Sequence, residues 1–295
     1  MNKKSAWLKK VPAMKSSQNQ GQASSMWDRL YVIKHDDPEL NSDTWCSVQP
    51  CRKLKFIGRE ILITQPSSTF WVYLLSLLGI VIGGHFIASH ENQVSRIMWG
   101  GSLVLWGVGA FVAGSSYQAF GYQLKCAHRP YVVWTNWWEI FYLILQQLSI
   151  SMLLVAVAYS CLAESGQAVS IATSALVSSA YILIVFLGAI KPVKSLITFE
   201  LMVHICTPFI IFLIGLNALR YWQHGKLLDL ALLGTWFGLV LTMCLYHLYK
   251  TSGLTKKLWK KGKWFSENDV LHVALIIWLT YIALVIEPLI KDISS

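Results

Sequence analysis

The sequence predicts an all-α membrane protein, a polytopic bundle of seven transmembrane helices. Of its 295 residues, 55% are hydrophobic and only 14% are charged, whereas about 25% of a soluble domain is charged. The mean hydropathy is +0.48. The apolar residues also form long uncharged blocks, as expected of segments that cross a bilayer. These observations exclude a disordered chain, a disulfide-rich secreted module and a conventional soluble enzyme.

Two polar regions precede the apolar blocks. Residues 1–25 combine a lysine-rich start with the run SSQNQGQASS, and we expect this low-complexity tail to be disordered. Residues 26–69 form a short cytoplasmic segment that contains the alternating pieces RLYVIKH and KLKFIGREILITQ. This alternation predicts either a small strand pair or an amphipathic segment on the membrane face. The seven-helix transmembrane domain follows at residues 70–290.

The seven apolar blocks define the predicted helices. Each block is near the ~20 residues that are needed to cross a bilayer. Tryptophan and tyrosine crowd many of the block ends, which is typical of side chains at the membrane interface. The blocks run Phe70–Ala88, Ile97–Leu124, Trp137–Leu162, Ala168–Ile190, Phe199–Leu219, Leu230–Tyr249 and Asp269–Ile286.

The basic residues between the blocks predict the orientation of the bundle. The N-terminal segment and the loops after the second, fourth and sixth blocks carry 21 Lys and Arg, against 4 elsewhere. Cytoplasmic loops collect Lys and Arg, so the N-terminus is expected in the cytoplasm and the C-terminus outside. The split also explains the net charge of +10 without any nucleic-acid partner. Together with the lack of a processing signal, it favours a bacterial inner membrane.

Polar side chains inside the blocks are the candidates for function, because burying them in a membrane is costly. In the predicted orientation, most of them fall at one depth in the cytoplasmic half of the bundle. This common depth predicts a polar cavity that opens to the cytoplasm. The members are Ser115, Ser116, Tyr117, Gln118, Glu139, Glu200, His204, His247, Asp269 and His272.

The start of the seventh block holds the most specific pair. Asp269 and His272 are three residues apart and therefore share a helix face. The carboxylate can orient the imidazole, whether the histidine acts as a base or as a metal ligand. A simpler interpretation makes Asp269 a first-turn acid beside a capping Ser266. His204 and His247 are alternatively interfacial hydrogen-bonding residues.

The sequence resembles the CREST superfamily, which includes alkaline ceramidases and PAQR receptors. The likeness rests on seven helices with a cytoplasmic N-terminus, on AGSSYQAFGY at the end of helix 2 and on FSENDVLHVALI at the start of helix 7. It implies three histidines that bind zinc, whose bound water hydrolyses a lipid amide. Here only His272 matches, since Gln118 and Asn268 stand at the other two histidine positions. Zinc would therefore need His204 or His247 as replacement ligands.

Two functions are expected from these features. The first is a membrane hydrolase that acts on a lipid amide or ester, with Asp269 and His272 as base or ligand and a serine stabilising the oxyanion. That serine is Ser115 or Ser116, and the ligand-binding set is Tyr117, Gln118, Glu139 and Asn268. The second is a non-catalytic receptor, lipid or pigment binder, or subunit of a larger complex that docks a protein partner through residues 26–69. A transporter is less favoured, because no inverted repeat of interrupted helices is visible.

Overall fold

A computed structural model describes residues 25–56 and 59–293, and it confirms the all-α bundle of seven long helices. All seven are long and apolar enough to cross a membrane, so the protein is an integral membrane protein. The tail predicted at residues 1–25 lies, apart from Ser25, outside the described residues. The long helices are α1 Pro66–Ala88, α2 Val94–Ala113, α3 Trp137–Cys161, α4 Glu164–Ile190, α5 Phe199–His224, α6 Leu227–Thr251 and α7 Glu267–Tyr281.

Most of these helices extend beyond their apolar blocks, because polar residues form their first turns and caps. Ser266 caps α7 three residues before the predicted start, and Thr198 caps α5. Both α2 and α7 continue into π-helical turns, at Gly114–Ala119 and Ile282–Ile286. Shorter helices occupy Arg29–Val32, Trp45–Val48, Gly121–Lys125, Lys194–Leu196, Leu254–Lys260 and Glu287–Leu289.

The N-terminal segment packs against the end of the bundle that the charges assign to the cytoplasm. Its second alternating piece forms an antiparallel pair, β1 Cys51–Phe56 and β2 Arg59–Thr64. Its first piece forms a short helix and then pairs with the loop between α2 and α3, where Lys34 bridges to Val133. An exposed ion pair adds a contact to the loop between α4 and α5. There the Lys194 ammonium lies 2.5 Å from Asp36 and lowers the pKa of that carboxyl.

A single residue, Gln65, separates β2 from α1. Its backbone is left-handed, with φ of 45°, a conformation that few residues other than glycine adopt. Its side chain has two partners: its amide nitrogen donates to Gln49 at 3.0 Å, and its oxygen accepts from Asn268 at 3.3 Å. Gln65 therefore joins the N-terminal segment, α1 and α7 at one point.

Glycine brings α1 and α2 into backbone contact. A Cβ atom placed on Gly83 would lie 2.6 Å from the carbonyl oxygen of Gly100, and one placed on Gly107 would lie 2.7 Å from the carbonyl oxygen of Ser76. Small residues allow this approach, on which helix association in membranes depends. At these glycines the backbones of the two helices are too close to admit a side chain; we call this line of close contact the seam between α1 and α2.

A buried ion pair ties α3, α5 and α6 together at the opposite end of the bundle. Asp229, in the first turn of α6, is fully buried and lies 3.0 Å from the Arg220 guanidinium. Asn217 donates to the same carboxylate oxygen at 3.1 Å and accepts from the Trp236 indole at 2.9 Å. Arg220 also donates to the carbonyl of Cys161. Asp229 is fully buried and Arg220 is largely so, and therefore the loss of Arg220 would leave the buried carboxylate uncompensated.

Candidate functional site

Asp269 lies at the centre of a fully hydrogen-bonded serine cluster, which joins the first turns of α1 and α7. Its Oδ1 accepts from Ser67 at 2.6 Å. Its Oδ2 accepts from Ser68 at 3.0 Å and from the backbone and side chain of Ser266 at 2.6 and 2.8 Å. Asp269 and Ser266 thus form a capping box. Both carboxylate oxygens are engaged by the serines and by the backbone at the start of α7, so the contacts favour the capping role.

We expect Asp269→Ala to lower the free energy of unfolding by about 2 kcal/mol, since a lost cap alone costs roughly 0.5–2 kcal/mol. The variant also removes the acceptor that Ser67 and Ser68 share. Thermal unfolding in detergent would measure the change. The matched control is Asn268→Ala, which removes one hydrogen bond of 3.3 Å. Equal stability of the two variants would contradict this role for Asp269.

His272 follows one turn deeper in α7. His272 is 6% exposed, and its Nδ1 makes no hydrogen bond to any described residue. No hydrogen bond joins Asp269 to His272 within the part of the chain that the structure describes, although the two are three residues apart. The sequence therefore places this pair at one end of the bundle, but the carboxylate does not orient the imidazole.

A second polar cluster surrounds Ser116 where α2 meets α3. The Ser116 hydroxyl donates to Glu139 Oε1 at 2.7 Å and accepts from the Asn136 amide at 2.6 Å. The Lys125 ammonium lies 2.5 Å from the same Glu139 oxygen. Glu139 is 2% exposed, and a buried carboxylate requires such a partner charge. We call Ser116, Lys125, Asn136 and Glu139 the Ser116 cluster.

Local backbone structure explains how these side chains meet. The π-helical turn Gly114–Ala119 ends α2, and π-helical turns frequently occur at functional sites. Asn136 is the N-cap of α3, and it accepts from the backbone of Trp138 and Glu139. Lys125 turns inward, donating to the carbonyl of Trp134 at 3.1 Å. The end of α2 and the start of α3 therefore present a serine, a carboxylate and an ammonium together.

A cavity of about 330 Å³ lies beside the Ser116 cluster, between the N-terminal segment and the bundle. Ser116, Tyr117 and Lys125 form part of its wall on the bundle side. The Lys125 ammonium lies over the Tyr117 ring, 4.8 Å from its centroid. Gly121, in the short helix after α2, also lines the cavity on this side. The remaining wall comes from the N-terminal segment and from Trp259 in the connection between α6 and α7; the residues of the N-terminal segment are His35, Asp37, Leu40, Trp45, Val48, Gln49 and Gln65.

The other predicted residues near α2 have separate surroundings. Ser115 bonds to the Tyr73 hydroxyl at 3.0 Å and to the carbonyl of Phe111, away from Ser116's partners. Gln118 is 5% exposed, and its Oε1 has no partner among the described residues. Its backbone carbonyl accepts from Thr64, which secures β2 to the end of α2.

The three histidines proposed as metal ligands do not share a site. His204 and His247 are exposed on α5 and α6, and Nδ1 of His204 bonds to the carbonyl of Glu200 in its own helix. His272 is buried in α7. Among residues 25–56 and 59–293, no three His, Cys, Asp or Glu side chains are grouped as a metal site requires. The donor set therefore does not fit the zinc centre that the CREST resemblance implies.

Sequence reasoning missed several members of these clusters. Lys125 follows the second apolar block, where its charge indicates only the orientation of the bundle, yet it is the ion-pair partner of Glu139. Asn136 directly precedes an apolar block, which is the signal of an N-cap. Ser67 and Ser68 follow Pro66, itself a frequent first residue of helices. These signals locate the residues but do not reveal which helix supplies their partners.

Comparison with family models, with curated proteins and with solved structures found no match to this chain.

Proposed function

We propose that this integral membrane protein is a hydrolase that cleaves an amide or ester bond of a lipid from the cytoplasmic side, with Ser116 as its nucleophile. The observation that carries the proposal is the 2.7 Å hydrogen bond from the Ser116 hydroxyl to Glu139, at the wall of a cavity. A serine activated by an adjacent base is the usual arrangement for nucleophilic catalysis. The proposal keeps the CREST-like scaffold and the bacterial inner membrane, supported by the helix count and the charge split.

The contacts of Ser116 and Glu139 define the steps of the proposed hydrolysis. Glu139 takes the Ser116 proton as Oγ attacks the substrate carbonyl carbon, and it then gives that proton to the leaving amine or alcohol. Water, deprotonated by Glu139, next attacks the acyl-serine ester, and the proton returns to Ser116. The Asn136 amide and the Lys125 ammonium lie beside these atoms; the amide supplies a hydrogen-bond donor and the ammonium a positive charge for the oxyanion. Asp269 remains a cap rather than a base.

Ser116→Ala is expected to lower the hydrolysis of fluorescent lipid amides and esters in mixed micelles by at least about 10³-fold, because the nucleophile is lost. Glu139→Gln should lower it by about 10²-fold or more, since the glutamine amide cannot take the proton. A fluorophosphonate probe should label the wild-type protein and fail to label Ser116→Ala.

Ser115→Ala is the matched control, because the adjacent hydroxyl bonds to Tyr73 and not to Glu139. It should retain both labelling and hydrolysis. A wild-type protein that neither reacts with the probe nor hydrolyses any lipid of the panel would contradict the proposal. Equal losses in Ser115→Ala and Ser116→Ala would contradict the choice of nucleophile.

A second candidate is a non-catalytic lipid binder. It is favoured by the saturation of Glu139, which already receives the Lys125 ammonium, the Ser116 hydroxyl and, at 3.5 Å, the Asn136 amide. In that case the wild-type protein retains lipid in the cavity without turnover, and Ser116→Ala changes affinity alone. Mass spectrometry of lipids that copurify with both proteins distinguishes the two functions.

A further inference from the structure

The connection between α6 and α7, residues 252–266, carries a strong positive charge. It contains five lysines and no acidic residue. All five lysines are exposed, so their charges face the surroundings of the protein and not the interior of the bundle. They are Lys256, Lys257, Lys260, Lys261 and Lys263. We call this segment the basic connection.

Large apolar side chains lie among these lysines on the protein surface. Leu254, Trp264 and Phe265 are 41%, 43% and 38% exposed. Cationic and aromatic side chains in one short segment are typical of chains that lie at a membrane interface, where lysine meets headgroups and the aromatic ring meets the acyl boundary. If these three side chains faced only water, their exposed apolar surface would be unfavourably hydrated.

The basic connection is held at the boundary of the membrane-spanning region. It begins immediately after α6 and ends immediately before α7. Thr255 is buried and bonds to the side chain and the backbone of Glu267, which secures the connection to the first turn of α7. The exposed lysines therefore stay close to the level at which lipid headgroups lie.

We infer that the basic connection binds the headgroups of anionic phospholipids in the cytoplasmic leaflet. Each lysine near an anionic membrane surface strengthens binding by about fivefold, so the charge and the position of the connection together favour anionic lipid as the partner. Trp259, in the short helix of the connection, also lines the cavity beside Ser116. A lipid held at this surface is therefore close to the cavity, although the inference does not depend on hydrolysis.

Native mass spectrometry of the full-length protein with added phosphatidylglycerol or phosphatidylcholine tests the inference. The wild-type protein should bind phosphatidylglycerol at least about tenfold more tightly than phosphatidylcholine. Lys260→Gln with Lys261→Gln should weaken phosphatidylglycerol binding by about tenfold and leave phosphatidylcholine binding unchanged.

The matched control is Lys226→Gln with Lys291→Gln, which removes two exposed lysines at the opposite end of the bundle. It should bind phosphatidylglycerol as the wild-type protein does. Lys260→Arg with Lys261→Arg keeps the charge and should retain binding, which separates loss of charge from loss of folding. Equal phosphatidylglycerol binding by the wild-type protein and the two glutamine pairs would overturn the inference, as would equal affinity of the wild-type protein for both lipids.

Discussion

Arg220→Leu is expected to lower the free energy of unfolding by about 3–5 kcal/mol, since breaking a buried ion pair leaves an uncompensated charge. Asp229 is fully buried, and its Oδ2 has no hydrogen-bond partner among the described residues. Without Arg220, only Asn217 and the weakly polar Cys161 thiol remain beside the charged oxygen. Denaturation by SDS in mixed micelles would measure the change.

Two controls separate burial from charge. Arg220→Leu combined with Asp229→Asn removes both charges and should recover much of the stability, because no uncompensated charge remains. Lys194→Ala breaks an exposed pair with Asp36, in which the two side chains are 40% and 72% exposed, and should cost less than about 1 kcal/mol. A similar loss from Arg220→Leu and Lys194→Ala would show that the Arg220 network does not stabilise the bundle.

Gly83→Ala is expected to cost about 1–3 kcal/mol by overpacking. Its new Cβ would lie 2.6 Å from the carbonyl oxygen of Gly100 and 2.8 Å from the backbone nitrogen of Val104. Neither backbone atom can rotate away, so α1 and α2 must separate along their seam. The same SDS titration would report this change, and crosslinking between cysteines introduced on α1 and α2 would report the separation.

The adjacent Gly84 provides a matched control. A Cβ on Gly84 has no neighbouring atom within 4 Å, so Gly84→Ala should be neutral or stabilising by up to about 1 kcal/mol through helix propensity. Gly100→Ala should resemble Gly83→Ala, and the double variant should cost less than the sum, because both act on one contact. Equal effects of Gly83→Ala and Gly84→Ala would contradict the close approach of the helices.

The sequence predicted the number of helices and the end of the bundle at which the polar residues lie. Both follow from local rules, namely the length of an apolar block and the alternation of direction between successive helices. Asp269 lies in the first turn of α7, as one of its two interpretations predicted, and acids are favoured there by the helix dipole. The capping Ser266 was also recognised as one of two interpretations.

Lateral partners could not be predicted in the same way. Depth in the membrane does not determine which helices are neighbours. The sequence therefore suggested His272, on the same helix, as the partner of Asp269. In the structure Asp269 instead accepts hydrogen bonds from Ser67 and Ser68 on α1. Ser115 or Ser116 was expected to stabilise an oxyanion beside Asp269 and His272, whereas the structure places Ser116 against Glu139. The π-helical turn at Gly114–Ala119 also changes the spacing of side chains at the end of α2. Spacing rules for an α-helix therefore do not apply to Ser115–Gln118.

The single-residue joint at Gln65 has a mechanical consequence. No flexible linker separates the strand pair from α1, so a rotation of the strand pair must turn the first helical turn, which carries Ser67 and Ser68. These serines bond to Asp269 on α7. A force applied to the strand pair would thus act as a torque on the first and last spanning helices together.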